Sequence, residues 1–206
     1  MAAFLSEHGK QALRGAIEAV EGRSSAELVI VVRAASGSYL HADLIAGILG
    51  GMLTLAALLY MPVDFGLHSF LIDPPLLGLV FALFSWRLPV LRRLLTPRGQ
   101  RDQRVLRGAQ AAFFSKGVRR TSGATGILVY ISQLERRAEV VADHGVLAAV
   151  DGGSWKAAVA AIDARVAAGA DAAAVAEAII GLAEVLEPVL PRSEDDVNEL
   201  ADEVEG

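Results

Sequence analysis

The chain has no cysteine among its 206 residues. That excludes disulfides, thiolate zinc sites and cysteine nucleophiles, and it is compatible with either redox compartment. No GxxxxGK[ST] or GxGxxG occurs, so nucleotide binding has no motif support. The opening MAAFLSEHGK lacks the basic n-region and apolar h-region of a signal peptide. Ser122 and Ser132 stand without a sequence-adjacent base pattern, so a serine triad is not indicated. Most telling is a lack of charge: no Asp, Glu, Lys, Arg or His lies from Leu44 to Met61.

What fills that gap is LIAGILGGMLTLAALLYMP. A helix needs about 20 apolar residues to cross the hydrocarbon core, and this run is just long enough. The chain pauses at VDFGLHSFLIDPP and resumes as LLGLVFALFSW. Counted from Phe65 to Trp86, the second run suffices only if Asp73, Pro74 and Pro75 are tolerated near one end or inside a kink. The stretch 44–88 reads as a transmembrane hairpin. A hairpin buried in a larger soluble core and a shallow or re-entrant second segment are the alternatives. Gly47, Gly50 and Gly51 allow close packing of the spans. Tyr60 and Trp86 suit interfacial positions.

Charge then sets orientation. Arg87, Arg92, Arg93, Arg98, Arg101, Arg104 and Arg107 follow the second run, opposed only by Asp102, within a net charge of −5. The loop between the runs carries Asp64, His68 and Asp73 and no Lys or Arg. The positive-inside rule places the arginine side in the cytoplasm. Two spans return the chain to its starting side, so both termini are expected there, in a multi-pass cell (inner) membrane protein. The cluster Arg87, Arg92, Arg93, Arg98 and Arg101 is also a candidate contact for anionic lipid, worth on the order of 1 kcal/mol per basic residue near the surface. It has no interleaved stacking aromatics, which argues against nucleic acid.

About 160 residues remain outside the hairpin, enough for one α/β domain. Residues 4–22 predict an amphipathic helix, with Leu13, Ala16, Ile17 and Val20 on one face and Ser6 as N-cap. Leu28–Val32 predicts a strand buried on both faces. Residues 98–116 predict a helix with Val105, Leu106, Ala109, Ala112 and Phe113 inward. Ile127–Ile131 and Ala138–Ala142 predict an antiparallel strand pair joined by the polar link Gln133–Arg137. The first two strands are expected to pair in parallel through the 98–116 crossover. Ser154 and Asp171 are expected to cap two further helices, ending at Gly169 and Pro188. The domain scheme is 1–43, 44–88, 89–190 and a flexible acidic tail 191–206.

Several short motifs in this order resemble the TPM domain family, which includes thylakoid-lumen phosphatase-like proteins and photosystem repair factors. They are Ser25-Ala26-Glu27 with its strand, Thr125-Gly126-Ile127-Leu128-Val129, Glu135-Arg136-Arg137 and Ala142-Asp143-His144-Gly145-Val146. Asn198-Glu199-Leu200 resembles the tail motif of the bacterial membrane-inserted branch. The resemblance covers nearly all the chain outside the spans. It implies an α/β sandwich, a small mixed β-sheet covered by helices. It also implies acid phosphatase activity for a plant member, auxiliary or assembly roles in membrane complexes for others, and divalent-metal binding (Ca or Mg) for some.

Glu27 and Asp143 are the candidate metal ligands, as hard oxygen donors, with Asp151 as a possible addition. Arg136 is the candidate phosphate binder. His144 is the one histidine in a plausible site loop. Capping, turn formation and surface ion pairing are the competing roles. Three functions are therefore carried forward. They are a non-catalytic interaction or assembly factor with an unidentified membrane-protein partner, a metal-assisted acid phosphatase, and an anionic-lipid surface module.

Overall fold

The computed structural model describes residues 4–192 together with Leu200, Val204 and Glu205. Asn198 and Glu199 lie outside the described residues. The chain divides into two compact units, one from residues 1–36 and 102–206 and one spanning Gly37–Arg101. These boundaries differ from breaks at 43/44 and 88/89: the hairpin unit takes in the approach to the first apolar run and the basic segment after the second.

The first unit is a mixed α/β fold. Strand β1 (Glu27–Arg33) pairs in parallel with β2 (Gly126–Ser132), which pairs antiparallel with β3 (Arg137–Ala142). The expected parallel pairing and strand hairpin are both present. A fourth strand, β4 (Val204–Glu205), pairs in parallel with Ile30 and Val31, giving the order β3-β2-β1-β4. Most of the expected flexible tail lies outside the described residues, but these two residues are held in the sheet. Their ladder hydrogen bonds and the burial of Val204 outweigh the acidic composition around them.

Alternation along β1 and β2 sends side chains to both faces. Leu28, Ile30, Val32, Ile127, Val129 and Ile131 join one core with α1 (Glu7–Glu21), α7 (Gly152–Ala168) and α8 (Ala172–Leu186). Val29, Val31, Leu128 and Tyr130 join a second core with α5 (Arg98–Ser115) through Val105, Ala109, Ala112 and Phe113. Leu106 turns outward instead, 40% exposed, because it sits about 100° around the helix from Val105. Ser6 caps α1 by accepting from the Gly9 N–H, and Asp171 caps α8 through the Ala174 N–H. The N-cap of α7 is Asp151 rather than Ser154. Its carboxylate accepts from the Gly153 and Ser154 N–H groups, and the Ser154 hydroxyl donates back at 3.1 Å. A carboxylate three residues ahead reaches two free N–H groups at once, which the serine cannot.

The second unit holds α2 (Leu40–Tyr60), α3 (Leu67–Arg87) and the short α4 (Pro89–Leu94). Both α2 and α3 have 21 residues, with mean hydropathy 2.0 and 1.7 over their most apolar windows, long and apolar enough to cross a membrane. Their apolar side chains are mostly exposed, including Leu71 (77%) and Phe84 (64%). Helix α3 is continuous through Asp73, Pro74 and Pro75, so the interruption between the runs shrinks to the turn before Leu67.

Candidate functional site

In the α/β unit, Glu27 and Asp143 come to the same end of the sheet but not together. Glu27 opens β1 and pairs with Gly126, and Asp143 follows β3 and donates its N–H to the Gly126 carbonyl at 2.9 Å. Strand β2 therefore stands between them, a separation of about 10 Å across two strand spacings. The space over Gly126 is filled: a Cβ placed there would lie 2.1 Å from the Val118 carbonyl oxygen of the 3-10 turn Val118–Arg120. Only glycine permits that approach.

Each carboxylate already has hydrogen-bond donors. Glu27 is buried and accepts from the Leu200 N–H at 3.3 Å. Asp143 is the N-cap of α6 (His144–Ala149) and accepts from the His144 N–H at 2.7 Å, with the His144 Nδ1 at 3.0 Å. Burial would raise the Asp143 carboxyl, but the His144 backbone N–H, the His144 ring and the Arg119 charge outweigh it and hold it below its ordinary value. Asp151 is spent on the α7 cap, and its serine and glycine partners likewise hold its carboxyl low. Among the described residues, no three His, Asp or Glu side chains gather as a metal would require.

Arg136 lies at the opposite end of β3, some 20 Å from Asp143 over six strand residues. Its backbone is left-handed, φ 52°, as the tight β2–β3 link requires. Its guanidinium lies against Gly169, the C-cap of α7, 3.6 Å from where a Cβ would stand. A cation there complements the helix C-terminus. The trio of Glu27, Asp143 and Arg136 is not one site.

That same link holds a residue of a different kind. Glu135 belongs to the polar link between β2 and β3, yet it is 3% exposed. It accepts from the Ser132 hydroxyl and, at 2.9 Å, from the Ser36 N–H, while the Ser36 hydroxyl donates to Ser132 at 2.8 Å. It closes the carboxyl ends of β1 and β2. Beside it, Arg137 bridges Asp102 (3.2 Å) and Asp163 (3.1 Å). Burial, with Asp163 and Asp102 adding, pushes the Glu139 carboxyl above its ordinary value against the pull of Arg137.

In the hairpin unit, the glycines expected to permit close packing do so. A Cβ on Gly47 would lie 3.0 Å from the Gly78 carbonyl oxygen, one on Gly51 3.0 Å from that of Pro74, and one on Gly78 2.8 Å from that of Gly47. Gly50 seats the Phe81 ring. The seam is a small-residue contact of the kind that drives helix association in lipid, where no apolar burial separates protein from solvent.

A polar clamp closes the end of the hairpin that carries the arginines. Asp43 in the first turn of α2 accepts from Arg92 Nε and Nη2 of α4 at 3.0 and 2.6 Å, and from the Ser85 hydroxyl of α3 at 3.0 Å. Thr96 and His41 are 3.2 Å apart beside it. Arg92, one of the arginines of the basic cluster, is thus engaged within the protein by Asp43. Arg87 lies 5.2 Å over the Trp86 ring. Arg101 buries its Nε without a hydrogen-bond partner. Sequence offered no signal for the Asp43–Arg92 pair beyond a single acid at the first span and a basic flank after the second.

No protein-family model matches the chain, and no curated protein matches it. Among solved structures, the NMR structure of the BA42 protein from the psychrophilic bacterium Bizionia argentinensis is similar. It has 15% identity and a TM-score of 0.59, and the match covers 98% of this chain and 94% of that one. At that identity the likeness concerns the fold alone. The chain is a mixed α/β protein that shares its fold with BA42 and carries two helices long and apolar enough to cross a membrane.

Proposed function

We propose that this chain is a TPM-like α/β domain fixed in a bacterial inner membrane by the α2–α3 hairpin, with both termini cytoplasmic. In this reading it acts as a non-catalytic interaction or assembly factor for a membrane complex. The observation that carries the reading is the placement of the hairpin. The chain leaves the α/β unit after β1 and returns to it before β2, the strand that pairs directly with β1. An anchor placed inside the domain in this way supports a role performed at the bilayer. The basic residues after α3 support the cytoplasmic orientation.

Reporter fusions at Gly66 and at the C-terminus test the topology. An external Gly66 with a cytoplasmic C-terminus is expected, and an external C-terminus would overturn it. Mild-detergent purification tests the role: stable companions are expected, and a protein that reproducibly emerges alone would refute it.

A lipid-surface role is favoured by one specific observation. Leu88, Val90 and Leu94 are exposed along the same short segment as Arg87 and Arg93, an apolar-and-basic surface suited to an anionic leaflet. Phosphate-ester hydrolysis gains no such support, since Arg136 is remote from Glu27 and Asp143. Turnover abolished by Asp143→Asn would revive it.

A further inference from the structure

One ionisable side chain of the hairpin unit stands among apolar ones. Asp73 lies six residues into α3 from Leu67, about 9 Å along the axis at 1.5 Å per residue. It lines an apolar groove of about 640 Å³ with Leu53, Thr54, Leu58, Phe65 and Phe81. Among the described residues, no hydrogen bond or ion pair reaches it. The surroundings are rich in acceptors and poor in donors. The Thr54 hydroxyl spends its proton on the Gly50 carbonyl at 2.9 Å. Pro74 and Pro75 have no N–H, so the Phe70 and Leu71 carbonyls lack their usual donors four residues on.

We propose that this groove seats a transmembrane helix of a different protein, which presents a Lys or Arg side chain to Asp73. The inference rests on the reading that α2 and α3 span a bilayer beside a membrane partner. Within hydrocarbon, an ionisable residue is costly and is found paired. The partner must bring the positive charge, because none is supplied locally. A second copy of this chain brings no Lys or Arg from Leu44 to Trp86, and its one basic side chain there is His68 in the first turn of α3, so the proposal commits to a different protein that carries a permanent charge. The apolar walls provide the packing surface, and the single carboxylate provides register along the groove.

The test uses the full-length protein, labelled at one introduced cysteine and reconstituted in bilayers with a labelled synthetic Leu/Ala transmembrane helix. One version of the helix carries Lys at the depth of Asp73, and the other carries Leu. Energy transfer is expected to show about tenfold tighter association of the Lys helix with the wild-type protein. That preference should vanish with Asp73→Asn. Equal association of the two helices with the wild-type protein overturns the proposal, and that comparison needs no variant to fold. Energy transfer between copies of the protein that is lost in Asp73→Asn would assign the groove to self-association, and also overturns it.

The broader reading is judged separately in native membranes. If wild-type protein brings down companions and Asp73→Asn brings down the same ones undiminished, the groove proposal fails while the reading stands. If wild-type protein emerges alone, the reading itself fails.

Discussion

Arg92 holds Asp43 with two arms of its guanidinium, Nε to one carboxylate oxygen and Nη2 to the other, and both side chains are less than a fifth exposed. The planar fork fixes the angle of approach as well as the distance. The pair joins the start of α2 to α4 and, through Ser85, to the end of α3.

Removing one member leaves a largely buried charge unpaired. Arg92→Ala should therefore destabilise the hairpin unit by about 3 kcal/mol. The double variant Asp43→Asn/Arg92→Met should recover much of that loss. Thermal unfolding in detergent compares them. A single variant no worse than the double would show that the pair contributes nothing as a pair.

The glycine seam makes a second prediction. Gly78→Val places new atoms against the Gly47 backbone, which has no flexible side chain to yield. Overpacking of this kind costs about 1–3 kcal/mol. The native chain has no cysteine, so introduced pairs across α2 and α3 report cleanly. Cross-linking between positions 48 and 79 should fall sharply in Gly78→Val and remain near wild type in Gly15→Val, where an added Cβ on α1 meets open space.

Glu135 is the third target. Glu135→Ala takes the acceptor from the Ser132 O–H and from the part-buried Ser36 N–H, at about 1–3 kcal/mol in all. Glu135→Gln keeps the shape and an acceptor oxygen and should cost less. Denaturant unfolding followed by the fluorescence of Trp155, which is buried in the α/β unit, separates the two.

Two carboxylates should move stability with pH in opposite directions. Glu139 is raised in the folded state from an ordinary value of 4.5. Its contribution is therefore fully present below that value and is lost as pH rises through the folded one. Asp143 is lowered from 3.8, so its contribution is present above 3.8 and is lost as pH falls through the folded value. Melting temperatures across the acid range should show Glu139→Gln more stable than wild type near neutrality. Asp143→Asn should be less stable there, with the gap closing in acid.

The parts of this fold that could be read from sequence are those written locally. Leu28–Val32 and Ile127–Ile131 are continuous apolar runs because both faces of each strand are buried, and the i, i+3, i+4 pattern of α1 is intact because one face alone is. The seam was legible in Gly47, Gly50 and Gly51 because three small residues within five positions of a long apolar helix permit a close approach of backbones. Val204–Glu205 was hidden because the ladder bonds that hold it belong to the backbone, while the surrounding side chains read as acidic solvent-facing chain. Glu135 and the Asp43–Arg92 clamp depend on residues 99 and 49 positions away respectively, so no local pattern announces them. Asp143 and Arg136 attract attention as chemistry, but one caps a helix and the other lies at a helix end.

The pairing of Arg33 with Ser132 also sets a clock. Ninety-nine positions separate these neighbours, so at roughly 5–20 residues per second the ribosome needs on the order of 5–20 s to supply β1 with its partner. During that time β1, with its apolar run Leu28–Val32, is complete but has nothing to pair with, while α2 and α3 are made and packed against each other. Assembly of the sheet is therefore a late event in the life of the nascent chain, and a synthesis pause placed between the hairpin and β2 would lengthen the period in which β1 is open to capture by a chaperone or by another unfinished copy.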